Sequence, residues 1–113
     1  MEKVIRIDDK DVKFRATAAT TRRYRQYFGR DLLIDFQKLE EGAGQDGSLS
    51  AETLTIFEDL AYTMAKQADP SIPDDADEWL DGFDMFSIYV VLPQIVELWR
   101  LSSLPTSISK KKA

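Results

Sequence analysis

The stretch Phe83–Leu101 reads FDMFSIYVVLPQIVELWRL, and we expect the rest of the chain to fold around it. Thirteen of its nineteen residues are apolar. One helical stripe is formed by residues spaced three and four apart: Met85, Ile88, Leu92, Ile95 and Trp99. Further apolar residues lie off this stripe, so more than one face of the helix must be covered, either by the chain's own core or by a partner.

Two features limit what this segment can be. Asp84 and Glu97 enclose an uncharged run of only twelve residues, whereas a helix that spans a bilayer needs about 20. A membrane is therefore not an expected partner. Pro93 lacks a backbone donor and its ring clashes with the preceding turn, which predicts a kink or a break in the last helix.

The N-terminal residues predict a β-hairpin. Apolar and polar residues alternate over residues 3–8 and again over 11–16, with the polar sequence DDKD between them. Two strands alone are marginally stable in water, so the apolar face of the hairpin must pack on helices.

Helix boundary signals divide the middle of the chain. Thr17 or Thr20 is the predicted N-cap of a short helix that ends at Gly29, and Asp31 is the predicted cap of a second helix. The sequence EGAGQDGSLS predicts a flexible loop to about Ser50. A third helix follows, with its N-cap at Ser48 or Ser50 and its end near residue 69, and the acidic run 74–78 begins a short further helix.

These elements predict an α+β fold that is mostly helical, with an N-terminal two-stranded β-hairpin packed on about four to five helices. We expect residues 1–101 to form a single domain. Residues 102–113 are polar and contain a proline, and we expect them to be a flexible tail.

The composition argues against catalysis. The chain of 113 residues has no cysteine and no histidine, which removes disulfides, thiol nucleophiles and the commonest general base and metal ligand. We expect no enzyme activity, no cofactor and no bound metal. The start MEKVIRID has no apolar signal-peptide core, which predicts a cytoplasmic protein.

Charge is distributed unevenly along the chain. Residues 1–30 carry nine Lys/Arg against four Asp/Glu, whereas residues 31–107 carry three against sixteen. Unlike ends of neighbouring copies would attract each other, which favours self-association. A solvated acidic surface that keeps the protein soluble explains the same pattern.

Two charged clusters have functional alternatives. The basic residues Arg22, Arg23, Arg25 and Arg30, with Tyr24 and Tyr27 among them, resemble a nucleic-acid contact. No known nucleic-acid module fits them, so a solvated helix face is favoured. The acidic residues between positions 74 and 84 lack the order of an EF-hand, so helix capping and solubility are favoured over a Ca²⁺ site.

The apolar segment offers a binding surface. Aromatic anchors often dominate the energy of protein interfaces. The predicted partner-binding residues are Trp79, Phe83, Met85, Phe86, Tyr89, Leu92 and Trp99.

The pattern DEWLDGFDMFSIYVVLPQIVELW, followed by a Ser/Thr-rich tail that ends in lysines, resembles the tail assembly chaperones of long-tailed bacteriophages and prophages of Gram-positive hosts. The hairpin, the YRQYFGRDLL segment and the mid-chain helix extend the resemblance over most of the chain. The resemblance implies a cytoplasmic assembly factor, absent from the mature virion, that binds and solubilises the tape-measure protein and recruits tail-tube subunits. It also implies a longer form made by ribosomal frameshifting, and Lys110–Lys112 are residues that a slippery run of adenines would encode.

Two other functions remain open at this stage. An acidic DNA mimic that inhibits a host nucleic-acid-binding protein is the alternative, and it would need carboxylates spaced like phosphates on a rigid face. A small enzyme has the least support, because no catalytic constellation is found.

Overall fold

The computed structural model describes residues 1–43 and 50–102. The elements run in the order β1 Glu2–Ile7, β2 Lys10–Arg15, α1 Thr20–Phe28, α2 Leu32–Ala43, α3 Ala51–Ala68, α4 Ala76–Leu80, α5 Ser87–Val90 and α6 Leu92–Ser102. The predicted α+β fold, mostly helical with an N-terminal hairpin, is confirmed. The described residues contain six helices, not four to five, because the apolar C-terminal region forms several short elements.

The hairpin turns at Asp8 and Asp9. Both residues have left-handed backbone angles, with φ of 53° and 63°, as a two-residue turn between twisted antiparallel strands requires. Aspartate tolerates this region better than most residues with a Cβ. The strands pair antiparallel with Ile5 opposite Val12, and the side chains of Ile5, Ile7 and Phe14 are buried. The hairpin therefore contributes one apolar face to the core.

Helix α3 is the centre of the fold. It runs unbroken for 18 residues and packs against β2, α1, α2 and α4. Its buried apolar residues occur on nearly every side of the helix: Ile56, Phe57, Leu60, Ala61, Tyr62, Met64 and Ala65. The expectation that the chain folds around residues 83–101 is thus wrong. A long uninterrupted helix can contact more neighbours than a segment divided into short pieces.

Predicted helix ends agree with the structure at three positions. Gly29 has φ 70° and donates its N–H to the carbonyl of Arg25, which ends α1. Asp31 Oδ1 accepts a hydrogen bond from the N–H of Leu33 at 2.9 Å, and Ser50 Oγ accepts one from Thr53 at 3.1 Å.

The start of α1 differs from the prediction. The N-cap is Ala19, which makes no side-chain cap, whereas Thr17 or Thr20 was expected. Thr20 is the first residue of the helix, and its hydroxyl accepts from the N–H of Thr17 and donates to Gln67. The threonine therefore binds the preceding turn to α3.

Pro93 lies in the first turn of α6. Helix α5 ends at Val90 and α6 begins at Leu92, so the predicted kink at Pro93 is not confirmed. An N–H at this position would have no partner within the helix, and proline is therefore tolerated there.

Helix α2 continues to Ala43, so residues 40–43 are helical although a loop was predicted from Glu40. The remainder of that loop, residues 44–49, lies outside the described residues. So does the predicted tail from residue 103, while Ser102 is the last residue of α6. None of the helices within residues 1–43 and 50–102 has the length and hydropathy needed to cross a membrane.

Candidate functional site

A cluster of exposed apolar side chains surrounds α5. Met85 is 78% exposed, Phe86 69% and Val90 75%, and we call these three residues the α5 patch. The N–H of Val90 donates to the carbonyl of Phe86 at 3.3 Å, which places these two residues one turn apart on the same side. Clustered exposed apolar side chains are a feature of surfaces that contact partners.

The opposite side of α5 is fixed to the core. Ile88 and Val91 are each only 4% exposed. The ring of Tyr89 packs at a tilt on Phe57 of α3, with 6.1 Å between centroids, and its hydroxyl donates to Glu58 Oε2. Helix α5, which carries Val90 and follows Met85 and Phe86, is therefore held in place by α3.

The hairpin turn holds the segment that precedes α5. The carboxylate of Asp8 accepts the N–H of Asp84 at 2.7 Å and the hydroxyl of Ser87. These hydrogen bonds, that of Ser87 first, lower the pKa of Asp8 because they stabilise its charged form. Lys10 Nζ donates to the carbonyl of Gly82 at 2.7 Å. Asp8 in the turn and Lys10 at the start of β2 thus hold the segment that leads to the patch.

An open groove of about 330 Å³ lies beside the patch. Three of its lining residues carry carboxylates and the other five are apolar or aromatic. The lining consists of Glu58, Leu80, Asp81, Phe83, Asp84, Met85, Ile88 and Tyr89.

Some predicted binding residues meet at this place. Phe83, Met85 and Tyr89 line the groove, and Phe86 is exposed next to it in sequence. Leu92 is half-buried against the core.

The two tryptophans predicted to bind a partner are buried instead. Trp79 is 6% exposed and Trp99 is 5% exposed. The Trp79 ring packs edge-on against Phe14 and Tyr62, and Trp99 packs against Phe36. Both side chains therefore belong to the core cluster.

Sequence reasoning missed Val90. It is one of the further apolar residues that lie off the stripe beginning with Met85. The spacing of four between Phe86 and Val90, on the side opposite Ile88, was the available signal.

The basic cluster is divided by the fold. Arg22, Arg23 and Arg25 are exposed on α1, but Arg30 turns inward. Its Nε donates to Asp35 at 2.7 Å. The predicted basic face therefore has three arginines, and Arg30 is a structural residue.

The acidic run serves the fold at two positions. Asp74 pairs with Lys66 at 2.7 Å, and Asp75 caps α4 by accepting the N–H of Glu78. Among residues 1–43 and 50–102, no group of three or more acidic side chains is arranged to hold a metal ion.

No family model matches the chain, and no significant match was found among curated proteins or solved structures. Any assignment of function therefore rests on the α5 patch, on its charged surroundings and on the resemblance in sequence.

Proposed function

We propose that this chain is a non-enzymatic tail assembly chaperone of a long-tailed bacteriophage or prophage. It binds the tape-measure protein in the cytoplasm of the host bacterium, keeps that protein soluble before the tail tube is built, and is not retained in the mature virion. The observation that carries the proposal is the α5 patch, in which three large apolar side chains are exposed on α5 and on the two residues that precede it.

The physical chemistry of the patch supports a shielding role. Burying one large apolar side chain contributes roughly 1.5–3 kcal/mol. Met85, Phe86 and Val90 together offer several kcal/mol to a client that covers them, before the entropy cost of association is subtracted. Asp81 and Asp84 line the same groove as Met85 and are exposed, and negative charge keeps a complex with an apolar client in solution.

The charge distribution supports the wider role. Arg22, Arg23 and Arg25 project from α1, whereas the exposed acids of α4 include Asp77 and Glu78. Copies that bring these surfaces together would line up along a long client, and the same charges would recruit tail-tube subunits.

Co-expression with a tape-measure protein tests the proposal. The native chain is expected to keep the tape-measure protein in the soluble fraction, and Phe86→Asp or Val90→Asp is expected to abolish this effect. The control is Ile34→Asp on α2, which places the same charge at an apolar residue that is 55% exposed outside the patch.

Urea unfolding of each variant separates binding from folding. All three substituted side chains are largely exposed, so the free energy of unfolding should change by no more than about 0.5 kcal/mol. Folded patch variants that still solubilise the tape-measure protein would refute the proposed function.

A further inference from the structure

The groove beside the α5 patch has uncompensated negative charge. Asp81 and Asp84 are exposed, and neither forms an ion pair with any residue in the described part of the chain. Glu58 is half-buried at the same groove and accepts the hydroxyl of Tyr89 with one of its two oxygens. Three carboxylates therefore surround an apolar groove.

No positive charge of the described chain lies in the groove. Its lining contains neither lysine nor arginine. Lys10 reaches the adjoining segment, but its ammonium group donates to the carbonyl of Gly82 and lies 5.4 Å from the ring centroid of Phe83. Lys10 forms no ion pair with Asp81 or Asp84, so both carboxylates can pair with a cationic partner.

On the basis of the proposed function, we infer that the segment recognised at the α5 patch is an amphipathic helix with lysine or arginine beside its apolar residues. Apolar side chains of this segment cover Met85, Phe86 and Val90. Its cationic groups then meet Asp81 and Asp84 at the edge of the groove. Such complementarity selects the client segment from other apolar helices.

Basic residues suit this surface for two reasons. Their aliphatic stems lie along apolar side chains while the charged ends stay in water. The exposed ring of Phe86 also offers a face to a cation. Because the carboxylates at the edge are solvated, the charge contribution should appear mainly as faster association and as dependence on salt.

Two synthetic peptides test the inference with the full chain. Both are helices of about 18 residues with leucine and phenylalanine at positions i, i+3, i+4 and i+7, and the flanking positions carry lysine in one and glutamate in the other. Fluorescence anisotropy should show the lysine peptide binding about tenfold more tightly at low salt, and the difference should shrink at about 500 mM NaCl.

Variants assign the preference to the groove. Asp81→Asn together with Asp84→Asn should reduce the discrimination between the peptides several-fold. Glu41→Gln together with Glu97→Gln removes the same charge from exposed positions outside the groove and should leave most of the discrimination between the peptides. Phe86→Asp should abolish binding of both peptides.

The outcomes separate this inference from the proposed function. Equal binding of the two peptides, or no binding of either, would overturn the inference. The proposed function would still be supported if the native chain, but not Phe86→Asp, keeps the tape-measure protein soluble. Preferential binding of the lysine peptide by a chain that does not keep the tape-measure protein soluble would support charge recognition at the groove and refute the proposed function. Self-association that sedimentation shows to be lost in Phe86→Asp would mean that a second copy covers the patch, and it would overturn the inference.

Discussion

Arg30 donates a hydrogen bond from Nη2 to Asp59 Oδ2 over 2.6 Å, and this contact joins the segment between α1 and α2 to the central helix. The same nitrogen donates to the hydroxyl of Tyr24, which in turn donates to Asp35. Both carboxylates are buried. Burial raises the pKa of Asp59, although the hydrogen bond from Arg30 acts in the opposite direction. One guanidinium thus compensates two carboxylates inside the fold.

Arg30→Ala should destabilise the chain. It leaves two buried carboxylates close together without a cation, and breaking a fully buried pair costs roughly 3–5 kcal/mol. Since the Arg30 side chain is 38% exposed, water screens part of this interaction, and we expect a loss of about 2 kcal/mol. Urea unfolding at neutral pH measures the change.

The control is Arg22→Ala, because Arg22 is exposed on α1 and its substitution also removes one positive charge. Its free energy of unfolding should change by no more than about 0.5 kcal/mol. Equal effects of the two substitutions would mean that net charge, and not the buried network, stabilises the fold.

Asp8 should make the stability depend on pH at the acidic end. The pKa of Asp8 is lowered in the folded chain. Its contribution to the free energy of unfolding is therefore present above the pKa of the unfolded chain, which is near 4, and is lost as the pH falls through the lower pKa of the folded chain. Asp8→Asn should therefore lower the urea midpoint at pH 7, and the difference from the native chain should narrow as the pH falls below the unfolded pKa of about 4.

Asp9→Asn is the matched control for this titration. Asp9 has the same left-handed backbone as Asp8, and its side chain is 98% exposed. Asparagine suits that backbone at both positions. A pH-dependent loss of similar size in both variants would show that the turn conformation, and not the link to Ser87 and Asp84, causes the effect.

Local signals in the sequence located most elements of the fold. The alternation around Ile5 and Phe14 gave the hairpin, and Gly29, Asp31 and Ser50 marked helix ends, because each signal acts over a few residues. The central position of α3 could not be read in this way, since it depends on which helix the others pack against.

The candidate site was predicted only in part, because local signals do not show which residues of the segment pack against other helices. Periodicity placed Met85 and Trp99 on one stripe, but the segment forms two separate helices, α5 and α6, and Met85 precedes both. Met85 is 78% exposed, whereas Trp99 is buried. The hydrogen bonds that join Arg30 to Tyr24, Asp35 and Asp59 were not predicted, because Arg30 and Asp59 are 29 residues apart in the chain.

Substitutions should separate core aromatics from those of the patch. Trp99→Ala removes a buried ring that packs against Phe36, and we expect a loss of about 3–5 kcal/mol in the free energy of unfolding. Phe86→Ala should cost about 0.5 kcal/mol or less, while it weakens binding of the lysine peptide. Urea unfolding and anisotropy measure the two effects, and a strongly destabilised Phe86→Ala would contradict an exposed α5 patch.

The hydrogen bond between Tyr89 and Glu58 should appear in the alkaline titration of the chain. Chiefly through this bond, the pKa of Tyr89 is raised to about 12. The stabilisation that this hydrogen bond gives the folded chain is therefore complete below the ordinary tyrosine pKa near 10, and it is lost as the pH rises through about 12. Glu58→Gln should shift the Tyr89 absorbance transition near 295 nm towards pH 10, and Tyr89→Phe assigns that transition by removing it.

Glu52→Gln, on the same helix as Glu58, is the control and should leave the Tyr89 transition at its native pH. A transition of Tyr89 that is identical in Glu58→Gln and in the native chain would show that α5 is not held to α3 by this bond.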